Sequence, residues 1–133
     1  MKTSILALAG LFLLISCMEK DTTDPKDSYT YWAEQNPTDD VQLINGQYWQ
    51  SAHWTKEYIL HLKFKPTEKW WSEFVKQNNL IRITEQWTKP SDFPDWFQPS
   101  NKSDIFSQFE DFNDSRYFRD SATGICYIYE IQL

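Results

Sequence analysis

Tyr58, Leu60, Leu62 and Phe64 alternate with Ile59, His61, Lys63 and Lys65. A two-residue period predicts a strand with one apolar face and one mostly polar face, and His61 falls on the polar one. Pro66 ends it. Thr67 then stands where a helix N-cap belongs, with Glu68 in the first turn. From Glu68 to Asn78 the period changes. At about 100° per residue, Trp70, Trp71, Phe74, Val75 and Asn78 gather in one sector, and Lys69, Ser72, Glu73, Lys76 and Gln77 take the other. The segment reads as an amphipathic helix that must lie on an apolar surface. Asn78-Asn79 offers a stop, because Asn tolerates the left-handed conformation. Leu80–Thr84 is short and rich in β-branched residues, so a strand returns after the helix.

The C-terminus reads as a β-hairpin. Arg116–Arg119 and Ile125–Gln132 are strands, and Gly124 closes the loop between them. Ile125, Tyr127, Tyr129 and Ile131 form one face of the last strand. Cys126 and Ile128 make the other face apolar too, which suits a central position. Residues 85–104 break the pattern. Pro90, Pro94 and Pro99 forbid regular elements there, so the segment reads as a structured loop pinned by Trp87, Phe93, Trp96 and Phe97. Residues 104–113 carry Ile105, Phe106, Phe109 and Phe112 at spacings that suit a short helix. Residues 41–50 are ambiguous, with Gly46 interrupting any long element. The polar run 18–28 has no aromatic residue and reads as a flexible tether. The reading is one small α+β domain over residues 41–133. It has an antiparallel or mixed sheet of four or five strands, one main amphipathic helix and the C-terminal hairpin.

The first residues belong to a different category. Lys2 precedes an apolar run from Ile5 to Ile15, followed by Ser16 and Cys17. That run is too short for a spanning helix, which needs about 18–20 apolar residues, and fits the core of a signal peptide. Leu14-Ile15-Ser16-Cys17 resembles the lipobox of bacterial lipoproteins. The resemblance covers residues 1–17 only. It implies a signal peptide over residues 1–16, an acylated Cys17 as the first mature residue, and a tether over residues 17–40. It also implies stable membrane attachment, since that family carries two or three chains on this cysteine and one chain alone binds marginally. Met18 rather than Asp follows the cysteine, and Glu19-Lys20-Asp21 is similar to the acidic export signals of surface lipoproteins in Bacteroidetes-type bacteria. Both favour the outer membrane over the inner.

Composition narrows the function classes. The chain has 13 basic and 19 acidic residues; loss of residues 1–16 removes only Lys2, leaving the mature chain at a formal charge of −7. Nucleic-acid binding relies on clustered Lys and Arg, which this chain lacks. An acidic surface suits a basic partner. With Cys17 acylated, Cys126 has no cysteine to pair with and reads as a buried small hydrophobe.

Catalytic and metal motifs are missing. His53 and His61 have no partner at zinc-ligand spacing. There is no Gly-x-Ser-x-Gly elbow and no Gly-rich phosphate loop. Asp111-Phe112-Asn113-Asp114-Ser115 resembles half of a calcium loop, but Arg116 stands at the glycine position and Ala122 at that of the bidentate Glu. Carboxylate pairs (Glu68 with Glu73, Asp92 with Asp95, Glu110 with Asp111) are what a small glycosidase could use. The aromatic content is unusual: seven Trp, seven Tyr and nine Phe. Much of it must be core, but Trp54, Trp87, Trp96 and Phe97 sit in polar or Pro-rich surroundings. Rings in loops favour recognition, and Trp87, Trp96 and Phe97 form the candidate binding surface. The expectation is a lipid-anchored binding module of the cell envelope with no cofactor, metal or catalytic residue, recognising a protein in the manner of an inhibitor or immunity protein. The alternatives are a glycan-binding module using exposed Trp and a small hydrolase using paired carboxylates.

Overall fold

The computed structural model describes residues 18–109 and 114–133. Cys17 and the expected signal peptide lie outside the described residues, as do Glu110, Asp111, Phe112 and Asn113. Among the described residues there are seven strands and two helices. In chain order they are β1 (Lys20–Thr22), α1 (Pro25–Ala33), β2 (Val41–Gln50), β3 (Tyr58–Pro66), α2 (Glu68–Gln77), β4 (Leu80–Ile83), β5 (Asp104–Gln108), β6 (Arg116–Arg119) and β7 (Cys126–Gln132). The α+β class holds, with more strands than the expected four or five. No helix among the described residues is long and apolar enough to cross a membrane.

All seven strands join one sheet in the order β1-β2-β3-β7-β6-β5-β4, and every neighbouring pair is antiparallel. Two meanders, β1-β2-β3 and β4-β5-β6-β7, meet where β3 pairs with β7. Counting antiparallel steps from β3 to β4 makes those two strands point the same way. Strands of that orientation need a long crossover, usually a helix, and α2 supplies it. The strand expected after the helix is therefore present, but at the far edge of the sheet rather than beside β3.

Local chemistry sets the helix limits. The Thr67 side chain accepts from the Trp70 N–H at 3.2 Å, capping α2, and Asn79 takes a left-handed φ of 52° just past its end. Helix α1 was hidden by polar composition. Asp24 caps it by accepting from the Asp27 N–H at 2.9 Å, and Pro25 holds the first position, where its missing N–H costs nothing. Glu34 ends it in the left-handed conformation (φ 58°). Residues 20–33 are therefore part of the fold, and the domain begins at Lys20 instead of Val41. The expected tether shrinks to the few residues before β1. Residues 104–108 form a strand where a helix was expected, because Ile105 pairs with Phe118 and Phe106 with Tyr117 in a β-ladder.

The sheet is covered on both faces. Towards the helices lie Tyr48, Leu60, Leu62, Phe64, Tyr117 and Ile128, buried with Tyr29 of α1 and Trp71 and Phe74 of α2. On the opposite face, Phe118 and Tyr127 are buried with Phe93 and Phe97 of the Pro-rich loop. Cys126 is free and fully buried, and burial pushes its thiol up to about 12.

Gly46 sits inside β2 rather than interrupting it. A β-carbon there would lie 2.9 Å from the Pro25 Cα and 2.9 Å from the Ser28 Cβ, so the absent side chain lets α1 press onto the strand. Alanine favours a strand interior over glycine on backbone grounds alone, yet Gly46→Ala forces α1 outward. We expect it to destabilise the protein by about 1–3 kcal/mol in urea unfolding. A neutral or stabilising result would show that α1 is not seated on β2 as described.

Candidate functional site

The Pro-rich loop was the sequence's candidate surface, and its conformation follows from three successive turns. Phe93 N–H donates to Pro90 C=O at 3.2 Å, Phe97 N–H to Pro94 C=O at 3.0 Å, and Ser103 N–H to Ser100 C=O at 3.0 Å. Arg116 of β6 clamps the loop's start through Glu85, with Nε to Oε2 at 2.9 Å and a second bond at 3.3 Å. Trp87, Trp96 and Phe97 do come together, but as a second core. Phe97 is wholly buried and Trp87 and Trp96 are half-buried around it; Trp87 and Phe97 also line a hollow of about 670 Å³ beside the loop. The Trp87 ring packs against Phe118 with centroids 4.9 Å apart. The reason is the apolar underside of the sheet: each large ring buried there gains about 1.5–3 kcal/mol.

The same loop corrects the placement of His61. Its face of β3 is polar in sequence, yet Phe93 and Phe97 fold over it with centroids at 4.5 and 5.6 Å, and Tyr129 lies at 5.1 Å. His61 is buried, and neither ring nitrogen has a hydrogen-bond partner. Burial lowers its pKa from 6.5 to about 4, and the nearby Asp92 carboxylate opposes this only weakly.

The sheet's other face carries the arrangement that the sequence did not reveal. Glu130 of β7 pairs in register with Leu60 of β3 and points towards the helices. Trp32 Nε1–H, in the last turn of α1, donates to Glu130 Oε1 at 3.1 Å. Tyr58 O–H donates to the same oxygen in a short bond, and Tyr117 O–H donates to Oε2 at 2.6 Å. One carboxylate thus ties α1, β3 and β6 to β7. The Tyr58 hydroxyl is held protonated far above its usual range, by burial first and by the Glu130 charge second. Burial likewise pushes Tyr48 up to about 12.

Above Glu130 a cleft of about 570 Å³ opens between α1 and α2. Its aromatic wall is Tyr29, Trp32, Tyr58, Trp70 and Phe74, with Trp32 and Phe74 meeting across the helices at 5.7 Å. Asp40, Glu73 and Glu130 are its acidic groups, and none of the lining residues is Lys, Arg or His. Such a hollow can hold a cation by two additive effects, Coulomb attraction to the carboxylates and attraction to ring faces. A cation over a ring is worth about 0.5–1 kcal/mol when exposed and about 2 when desolvated. Among the described residues no three His, Cys, Asp or Glu side chains converge as a metal site would require. Of two carboxylate pairs noted in the sequence, Glu73 lines the cleft while Glu68 is exposed on α2 outside its lining, and Asp92 and Asp95 are exposed on the loop.

No family model, no curated protein and no solved structure matches this chain.

The buried His61 generates a pH prediction. Its folded pKa lies below its unfolded value, so between about pH 6.5 and 4 the unfolded chain binds the extra proton. This group therefore contributes a stability loss as pH falls through that window, and nothing above it. From pH 7 to 4.5 the loss is about 2–3 kcal/mol. His61→Leu should remove that part of the pH dependence in urea unfolding. Equal losses in the two proteins would mean that His61 gains a proton partner in the folded state.

Proposed function

We propose that this protein is a lipid-anchored, non-catalytic binding module of the cell envelope, held by an acylated Cys17, with the outer membrane as its location. Its partner is a basic protein, in the manner of an inhibitor or immunity protein. The observation that carries the reading is the cleft between α1 and α2, with five aromatic rings, three carboxylates and no basic group in its lining. A Lys or Arg side chain of the partner matches it in charge, in length and in its affinity for ring faces. The mature charge of −7 adds long-range attraction and a faster encounter with a basic partner. On this reading recognition lies in the cleft rather than at Trp87, Trp96 and Phe97.

The test uses protein beginning at Met18, because removal of further residues would cut into β1 and α1. Basic envelope proteins captured at low salt should be released as salt rises. The paired substitution Asp40→Asn with Glu73→Gln should weaken capture about tenfold or more while leaving the unfolding midpoint close to that of the parent, because both residues are exposed. Undiminished capture by the double variant would sink the cleft as the recognition site.

The anchor has its own test. Cys17→Ser should move the full-length protein from the detergent-soluble membrane fraction to the aqueous one, or leave it unprocessed with its signal peptide. If the variant is processed and stays membrane-bound like the parent, acylation of Cys17 is not the attachment.

A further inference from the structure

We infer that the tip of the β2–β3 hairpin is a membrane-contacting element, with Trp54 seated in the bilayer interface beside the acylated Cys17. The inference rests on the anchor reading above and goes beyond it, from how the chain is attached to how the domain is oriented.

The argument begins with strand direction. β1 runs antiparallel to β2, with Lys20 opposite Gln50 and Thr22 opposite Tyr48. Tracing β1 backwards from Lys20 therefore leads off the same end of the sheet as tracing β2 forwards from Gln50. The first path reaches Met18 and then Cys17. The second reaches the hairpin loop, residues 51–57, closed by the Ser51 N–H to Glu57 C=O bond at 2.9 Å. Lys20, Gln50, His53 and Trp54 line one shared hollow, so the two paths stay together. Only Met18 and Glu19 separate Lys20 from Cys17 in the sequence. Acyl chains on Cys17 would hold this end of the sheet at the bilayer surface.

That end is also where apolar side chains are left in water. Trp54 is 85% exposed, Met18 60%, Leu133 71% and Phe109 72%. Leu133 follows the end of β7, where Gln132 pairs with Tyr58, and Phe109 follows the end of β5. Of the other two large exposed apolar residues among those described, Ile81 follows Leu80, which pairs with Gln108 at this same end, and Ile44 lies within β2 towards the other end. Tryptophan suits the headgroup level because its ring is apolar and its indole N–H is polar. Charge gives the tip no preference for anionic lipid: Lys56 is paired with Glu34 at 3.0 Å, Lys20 lies over the Tyr31 ring, and Glu57 is nearby. The contact is therefore with the interface itself and needs no acidic headgroup.

The test uses full-length acylated protein reconstituted into phosphatidylcholine vesicles carrying brominated acyl chains, which quench only rings at or below the headgroup level. Wild type and Trp54→Phe are compared; the ring is exposed, so the change leaves the core intact. The emission that differs between the two proteins belongs to Trp54. We expect bromolipid to reduce it roughly twofold or more and to leave the Trp54→Phe emission nearly unchanged. Vesicle flotation and the intact mass of the N-terminal peptide are read on the same sample. Acylated protein that floats but shows equal fractional quenching in both forms overturns the hairpin contact and leaves the anchor standing. Protein that is processed without acyl chains and does not float overturns the anchor, and this inference with it.

Discussion

β3 and β7 pair over seven residues and carry apolar side chains on both faces. Everything else in the fold answers that constraint. A two-sided apolar ladder cannot sit at a solvent face, so one side needs the helices and the other needs the Pro-rich loop. The helices supply Tyr29, Trp71 and Phe74; the loop supplies Phe93 and Phe97. The loop has no regular hydrogen-bond ladder, so its turns and the Arg116–Glu85 clamp hold it over the sheet. Cys126 is free and buried, so among the described residues no disulfide restrains the unfolded chain. A small domain in that position gains most per ordered residue from large rings, which accounts for the aromatic content without requiring most of it to bind anything.

Glu130 is the polar group that this aromatic packing must accommodate. A carboxylate beneath two helices is costly unless its oxygens are matched by donors. The donors come from three elements, Trp32 of α1, Tyr58 of β3 and Tyr117 of β6. The rings thus act twice, as apolar bulk and as the donors that make a carboxylate tolerable. This arrangement also fixes where a cleft can exist. The helices cannot close over Glu130 without desolvating it further, and Trp32 and Phe74, which meet at 5.7 Å, both line the cleft. The negative potential of the cleft is therefore a consequence of how the sheet and helices are joined.

The strands and helix with clear periodicity were legible because a single face dominates each: β3, α2 with its Thr67 cap, and the β6–β7 hairpin with Gly124 at φ +75°. Helix α1 was missed because residues 18–28 lack rings, although Asp24-Pro25 is a helix-start pair and Tyr29 and Trp32 have helical spacing. Residues 104–108 read as a helix because Ile105, Phe106 and Phe109 suit that period; only pairing with β6 decides for a strand. The burial of Phe97 is illegible for a different reason. Pro-rich context marks a loop, but not which side of the sheet the loop covers, so the sequence does not show that Phe97 is core. His61 was misplaced by the same omission. Glu130 had no local signal at all. Its three donors are 13, 72 and 98 residues away in sequence, and only the sheet order brings them together.

The cleft and the proposed membrane-facing end are not independent. Tyr58 is the first residue of β3 and Glu130 the third from the end of β7, so the cleft floor lies near the strand ends that lead to Met18 and Trp54. Helix α1 runs between the two regions: Trp32 and Ala33 line the cleft, while Tyr31 and Glu34 line the hollow beside Trp54. A domain held by Cys17 and Trp54 would present its cleft close to the bilayer, not at the end of a long tether. The cleft also runs the length of the sheet: Tyr58 and Glu130 lie at this end, and Asp40 precedes Val41, which pairs with Pro66 at the other. If both proposals hold, the three carboxylates lie at different depths from the bilayer, and a basic side chain on an extended segment between α1 and α2 could meet them in turn.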